Sequence, residues 1–407
     1  MPMKFIREII ERLLKEADIP IEVAYWDGEE KKFGGGAARH KITFNSPRAM
    51  MRFVFGLGMG FCEGYTDGNI EIEGDLQELL TIPYRVDLSN PALKHLTNLS
   101  DFIASLRRRN TLSGSRKNIS HHYDIGNDFY RLWLDKNLQY TCSYFKDTDV
   151  DLDSSQIDKM DHVCKKVDLK EGEEVLETGC GWGGLAVHAA KNYGVRVTAY
   201  NISREQVSYA RRLAEEEEVE GLVDFIDDDY RNAKGSYDKF ISIGMIEHVG
   251  KENYRVFTDL IKRTLKEEGK GIVHFIGKVT PKRGNSWIYK YIFPGGYSPS
   301  LSEVLSPFEE KGLVVRDIEN LRLHYARTLD HWAERFENCL DKVGDMFDEK
   351  FIRMWRLYLN SSSVSFKCGG LSLYQIIFTN GPDNREEMTR ESLYLPDLEA
   401  PKWNYTM

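Results

Sequence analysis

The chain has 407 residues, 41% hydrophobic and 12% aromatic, with a formal net charge of −9. That length holds two domains with sizeable cores, and the acidic balance excludes a general nucleic-acid binder, whose phosphate contacts need a basic face. The six cysteines, Cys62, Cys142, Cys164, Cys180, Cys339 and Cys368, form no CxxC and no Cys/His cluster, which argues against structural zinc or any other metal site and against a disulfide framework, and fits a reducing cytoplasm.

The opening MPMKFIREIIERLLKEADIP is too charged for a signal-peptide core, and no apolar run reaches the roughly 18 residues that span a bilayer. Phe5, Ile6, Ile9, Ile10, Leu13 and Leu14 recur at helical spacing and predict one apolar stripe on a charged helix. VAYWDG, KITFN and NIEIEGDL alternate as strands, with WDG and TDGN as turns. FVFGLGMGFCEGYTDG is apolar and punctuated by glycine; its glycines suit either close backbone approach to a lipid chain or tight helix–sheet packing, and packing is the simpler account. These elements predict a small α+β domain over residues 1–105.

LRRRNTLSGSRKNIS, residues 106–120, reads as a basic linker with a Gly/Ser centre. Arg107, Arg108, Arg109, Arg116 and Lys117 stand out against the acidic total. They are either solvated linker or a patch for an anionic surface, where each charge near acidic lipid is worth about 1 kcal/mol.

From residue 121 to about 400 the pattern changes to strand–helix alternation. EEVLETGC, VRVTAYN, LVDFID, YDKFISIGM and GIVHFIG are β-like, with helical stretches between several of them, the signature of a mostly parallel sheet covered on both faces. Within it, VLETGCGWGG (175–184) is a strand running into a glycine-rich turn and then a helix. Gly179, Gly181 and Gly183 let backbone approach a ligand at the carboxyl end of the strand, and Glu177 can take an ammonium or a hydroxyl. A glycine turn alone does not separate dinucleotide folds from others. Two features do: the spacing is GxGxG rather than GxGxxG, and the second strand ends in AYNISREQ, without the aspartate that holds the ribose of NAD. DDDYRN after the third strand is placed to flank an adenine. Together these predict an α/β fold with a Rossmann-like, class I methyltransferase sheet binding S-adenosylmethionine. Asn201, Ser203 and Gln206 face its ribose and carboxylate, and Asp229, Tyr230 and Arg231 its adenine. Singly, each of these polar residues is equally a helix cap or loop surface.

HYDIGNDFYRLWLD, QYTCSYF, LETGCGWGG, ISREQ, DYR, IGMIEHVG, IVHFIG, WIYKYIFPGG and HYARTL follow one another in order. That set resembles the cyclopropane-fatty-acyl-phospholipid synthases and the related mycolic acid methyltransferases over about residues 115–380, and GYTDGNIEIEGDL extends the likeness into the N-terminal domain. The resemblance implies methyl transfer from S-adenosylmethionine to the cis double bond of an acyl chain in a membrane phospholipid, followed by proton loss and ring closure. It implies a lipid-binding N-terminal domain, a homodimer, and a cytoplasmic protein held peripherally at the inner face of the membrane. It adds Tyr140 and Thr141 to the cofactor side and assigns a bound bicarbonate, the base for ring closure, to Cys142, Glu247, His274, Ile276 and Tyr325.

The chemistry agrees with those residue types. Alkene attack on a sulfonium methyl leaves a carbocation that water would trap, so the pocket must be dry. Aromatic faces stabilise positive charge without reacting, and Tyr140, Tyr144, Phe145, Trp287, Tyr289, Tyr291 and Phe293 are candidates, though several will simply fill core. His274 and the Tyr325 hydroxyl can donate to an anion, Glu247 can accept its O–H, Ile276 offers backbone polarity, and Cys142 is a pocket wall rather than a nucleophile. Three departures from the family pattern stand out. Ser362 occupies the position, in YLNSSSVSFK, where many relatives carry cysteine; Glu177 stands where Asp is usual, and Asn201 where Thr is usual. The alternatives are an enzyme that adds a methyl branch, a methyltransferase acting on another lipid or a soluble molecule, and a lipid-binding protein that retains the fold without turnover.

Overall fold

The computed structural model describes residues 3–86, 125–281, 285–384 and 389–394. The basic linker 106–120 and the start of HYDIGNDFYRLWLD lie outside the described residues. The chain divides into two compact units, the first made of Met1–Arg108, Arg283–Pro294 and Leu329–Gly370, the second of Arg109–Lys282, Gly295–Thr328 and Leu371–Met407. The single cut expected near residue 105–120 is therefore incomplete: two later stretches fold with the N-terminal segment rather than with the large sheet.

In the first unit a helix over Met3–Ala17 buries Ile6, Ile10, Leu13, Leu14 and Ala17 on one face, while Phe5, expected in that stripe, is exposed. Strands β1 (Ile21–Tyr25), β2 (Glu30–Phe33), β3 (His40–Phe44) and β4 (Ile70–Glu73) form one sheet in the order β2-β1-β3-β4. β1 and β3 run parallel; the outer pairs are antiparallel. The glycine-punctuated stretch is a helix, Pro47–Thr66, capped by the Ser46 hydroxyl accepting from the Ala49 N–H. A Cβ on Gly64 would meet the Ile70 side chain at 2.6 Å, so at that position the glycine serves tight helix–strand packing. From the later stretches, Arg353 on the helix Glu349–Lys367 donates to the Tyr65 and Ile70 carbonyls and pairs with Glu71. Lys290 and Tyr291 both reach Glu63.

The second unit is built on a seven-stranded sheet in the order β10-β11-β9-β8-β5-β6-β7, with β5 Glu174–Thr178, β6 Arg196–Asn201, β7 Val223–Asp227, β8 Tyr237–Ile243, β9 Leu265–Gly277, β10 Leu313–Asn320 and β11 Ser372–Asn380. β5 to β9 are parallel, and β11 runs antiparallel between β9 and β10. Near-continuous burial of β5, β8 and β11 is what a sheet covered on both faces requires. The chain winds outward from β5 through β6 and β7, then returns to β8 and β9 on the other side. That reversal makes the carboxyl ends of β5 and β8 the topological switch point, where open α/β sheets bind ligands.

Candidate active site

The turn after β5 is shaped by its glycines. Gly181 has φ +56° and a Cβ there would meet nothing within 4 Å, so the position combines left-handed backbone with open space beside it. Gly183, at φ +85°, has the opposite surroundings: a Cβ would strike Ala210 at 2.6 Å and the Phe225 ring at 2.7 Å, so this glycine lets the turn pack directly on its neighbours. Inside the strand end, Glu177 is 3% exposed. Burial pushes its carboxyl up to about 7 against the opposing pull of Lys159, and its Oε2 has no hydrogen-bond partner. An orphaned buried carboxylate oxygen beside an open glycine turn fits a ligand that brings positive charge and a donor, as S-adenosylmethionine does.

The other expected cofactor residues gather at the same strand ends, but several are already engaged. Asn201 Nδ2 donates to the Gly181 carbonyl at 3.0 Å and to Gln206 Oε1 at 2.9 Å. Ser203 is the N-cap of the helix Arg204–Glu216, accepting from the Gln206 N–H at 3.4 Å. These three brace the glycine turn from below. Asp229 caps the turn Tyr230–Asn232 and accepts from both Nε and Nη2 of Arg231 at 2.7 Å, so any adenine contact must use the remaining lone pairs of that carboxylate. Tyr230 sits edge-on to Phe257 at 5.8 Å and packs against the core.

The segment 139–145 connects the turn to the rest of the site. A Cβ on Gly184 would meet Gln139 Nε2 at 2.4 Å, and one on Gly244 would meet Thr141 Cγ2 at 3.1 Å, so Gln139–Thr141 lies between the glycine turn and the end of β8. Tyr140 packs among Tyr130 and Trp133 at 5.4 and 5.5 Å, with Trp182 of the turn 5.0 Å from Tyr130. Beneath, Lys159 is 1% exposed and donates to Gln139 Oε1 at 2.5 Å and Thr141 Oγ1 at 3.1 Å. Its ammonium acts electrostatically on Glu177, Cys142 and His274 alike, so one buried cation underlies both the cofactor turn and the proposed anion box. Burial pushes Lys159 itself down to about 8.

Cys142 is fully buried, and its thiol donates to the Ser143 carbonyl at 3.1 Å. Burial pushes the thiol far up, which disfavours the thiolate that a nucleophilic role would need. Ser143 is tied through N–H and hydroxyl to Thr328 Oγ1 at 3.1 and 2.8 Å, and the Phe145 N–H donates to His324 Nδ1 at 3.0 Å. These bonds fasten the cysteine segment to the stretch carrying buried Tyr325.

Glu247 follows β8 on a short turn of helix, Ile246–Val249. Its Oε1 accepts the Ile276 N–H at 2.6 Å, which joins β8 to the end of β9. Oε2 is buried without a partner, and burial holds the carboxyl at about 7. Of the backbone polarity expected from Ile276, the N–H is thus spent on orienting Glu247. His274 lies two residues earlier on β9, hence on the same face as Ile276. It is 1% exposed, is held down to about 3 by burial, and bonds Gln375 rather than Glu247.

Of the aromatic candidates, Tyr140, Tyr144 and Phe145 belong to this unit. Trp287, Tyr289, Tyr291 and Phe293 belong to the first, where Trp287 packs on Tyr291 and Phe293 on Tyr358. Ser362 is half-buried on the helix Glu349–Lys367, also in the first unit. Sequence reading missed Lys159, Lys166, Gln375 and the aromatic group around Trp182.

Residues 110–376 match the family described as mycolic acid cyclopropane synthetase, and residues 7–92 match a domain of unknown function. The chain is 36% identical to a cyclopropane-fatty-acyl-phospholipid synthase of Escherichia coli strain K12, over 87% of this chain and 92% of that protein. It is 34% identical to a probable fatty acid methyltransferase of Pseudomonas putida, over 94% and 98%. A crystal structure of a mycolic acid cyclopropane synthase complexed with SAH and CTAB superposes with a TM-score of 0.62 at 30% identity, covering 65% of this chain and 98% of that one.

Proposed function

Because the chain belongs to the mycolic acid cyclopropane synthetase family and is an S-adenosylmethionine-dependent methyltransferase acting on lipid chains, we propose that its substrate is a cis-unsaturated acyl chain of a membrane phospholipid. Its product is the cyclopropane, with bound bicarbonate as the base. The observation that carries this reading is the buried Oε2 of Glu247 at the joined ends of β8 and β9, a polar atom with no hydrogen-bond partner in the protein.

When bound, S-adenosylmethionine supplies an electrophilic methyl group and bicarbonate a base. Glu177 offers its orphaned oxygen to the cationic ligand, and the Gly181 turn leaves room beside it. Glu247, fixed by the Ile276 N–H, accepts the anion's O–H, while His274 and Tyr325 donate to its oxygens. Cys142 closes one wall without offering a thiolate. The alkene gains one carbon and the chain loses its double bond; one proton leaves from the transferred carbon as the ring closes. That Cys142, His274 and Glu177 are all within 3% of complete burial supports a pocket in which the electron-poor carbon is shielded from hydrolysis.

The test is incubation with unsaturated phospholipid vesicles and S-adenosylmethionine, with lipids read by mass and proton NMR. A gain of one CH₂, with loss of olefinic protons and appearance of upfield ring-methylene signals, supports the reading. The similarity to a probable fatty acid methyltransferase favours a second reading, methyl branching, which retains an alkene in the first product. No lipid product, with cofactor still bound, would leave a lipid-binding protein.

We also propose peripheral association with the membrane as a homodimer. Met51 and Phe55 stand exposed one turn apart on the helix Pro47–Thr66, with Phe5 exposed on the first helix. Among the described residues no helix is long and apolar enough to cross a membrane. Vesicle flotation lost on Phe55→Asp, and sedimentation at twice the chain mass, are the expected results.

A further inference from the structure

His274 can donate to an anion only if its proton is on the right nitrogen, and the second unit contains a device that decides this. His274 on β9 and Gln375 on β11 are cross-strand partners, and Gln375 Nε2 lies 3.1 Å from His274 Nδ1. On its other side, Gln375 Oε1 accepts from Lys166 Nζ at 2.8 Å. Lys166, buried at the end of the helix Leu152–Lys166, is paired in turn with Glu319 of β10. Glu319 also accepts from His162 Nε2 at 3.0 Å, and these two partners hold its carboxyl down to about 2 despite burial.

Each step has one chemical outcome. An ammonium only donates, so the side of the Gln375 amide facing Lys166 is its oxygen. The NH₂ group therefore faces His274, and Nδ1 must accept. A neutral imidazole has one protonated and one bare nitrogen, so the proton is on Nε2. Burial prevents a second proton from blurring the choice. Reversing the amide would set the NH₂ group against the ammonium and leave two buried donors facing each other.

We infer that Gln375 is a positioning residue that, oriented by the Glu319–Lys166 ion pair, locks His274 as the Nε2–H tautomer and so makes it a standing hydrogen-bond donor. This rests on the reading that His274 donates to a bound anion, but the lock itself is a property of the protein without ligands. It also explains why three strands and a helix end converge on charged groups in an otherwise apolar interior, where an unpaired charge would be costly.

The test separates the two claims. With histidine-selective ¹⁵N labelling, and the His274 signals assigned by their loss in His274→Gln, the ligand-free protein should show a bare Nδ1 and a protonated Nε2. Gln375→Glu is isosteric and keeps the bond to Lys166, but presents an acceptor to Nδ1. The expected result is inversion, with the proton on Nδ1, together with a 10- to 100-fold fall in turnover and unchanged S-adenosylmethionine affinity by calorimetry. Lys166→Met, which frees the amide to rotate, should give a mixture of both forms. A His274 proton on Nδ1 in the native protein, or an Nε2–H form that persists in Gln375→Glu, would overturn the inference. Inversion of the tautomer with turnover unaffected would keep the lock and refute the donor role of His274 on which the anion reading depends.

Discussion

Replacing Glu247 by Gln gives a prediction in which both sign and size come from the structure. The wild-type carboxyl is raised from 4.5 to about 7 by burial. Below pH 4.5 the folded and unfolded states both carry the proton, and the shift has no effect. Between 4.5 and 7 the folded state keeps a proton that the unfolded state has lost, so stability falls as pH rises. Above 7 both are ionised and the folded state bears the full cost, about 3 kcal/mol for a shift of this size. Gln preserves Oε1 as acceptor for the Ile276 N–H and replaces the unpartnered oxygen with an uncharged NH₂. The ligand-free variant should therefore match wild type near pH 4.5 and exceed it at pH 8 by about 3 kcal/mol, roughly 6 to 12 °C in the melting temperature of a domain this size. Thermal scans across pH measure this directly. Turnover should fall at least about 100-fold, since the acceptor for the anion's O–H is gone. A stability difference independent of pH would refute the assignment of a strained, buried carboxyl at this position.

Three further outcomes are expected. Glu177→Gln should weaken S-adenosylmethionine binding at least tenfold by calorimetry, because the buried Oε2 that has no partner in the protein is the group a cationic ligand would satisfy; unchanged affinity would place the ligand elsewhere. Gly183→Ala should destabilise the second unit by about 3 kcal/mol, combining a left-handed backbone penalty with the collision at Ala210 and Phe225, measured by denaturant unfolding. A thiol reagent should label exposed Cys368 first and reach Cys142, Cys164 and Cys180 only on unfolding; rapid loss of activity through Cys142 modification would contradict its role as an inert wall.

What the sequence revealed is what local pattern can encode. The strand, turn and helix at 174–193 were legible from period-2 alternation, glycine spacing and the following helical stretch, whereas Ser203, expected to face the cofactor, is the N-cap of the helix Arg204–Glu216. Glu247 and His274 were found through motif and strand end. The Lys166–Gln375–His274 chain was not legible, because its members are 209 and 101 residues apart and meet only once β11 inserts between β9 and β10. The same reason hid the membership of 283–294 and 329–370 in the first unit: amphipathic periodicity gives a helix its face but does not name the surface that covers it. Lys159 was passed over because a lysine in a charged helix normally faces water; here the polar edge of Gln139 and Thr141 makes its burial tolerable. Backbone polarity at Ile276 was read as a contribution to ligand binding; its N–H is engaged by Glu247, a distinction that requires coordinates.

The most direct test of the proposed chemistry is the dependence of ring formation on bicarbonate. With purified protein, unsaturated phospholipid vesicles and S-adenosylmethionine in carbon-dioxide-free buffer, cyclopropane formation should fall sharply and return in a saturable manner as bicarbonate is added, with Glu247→Gln failing to respond. Full-rate ring formation without bicarbonate would contradict the account.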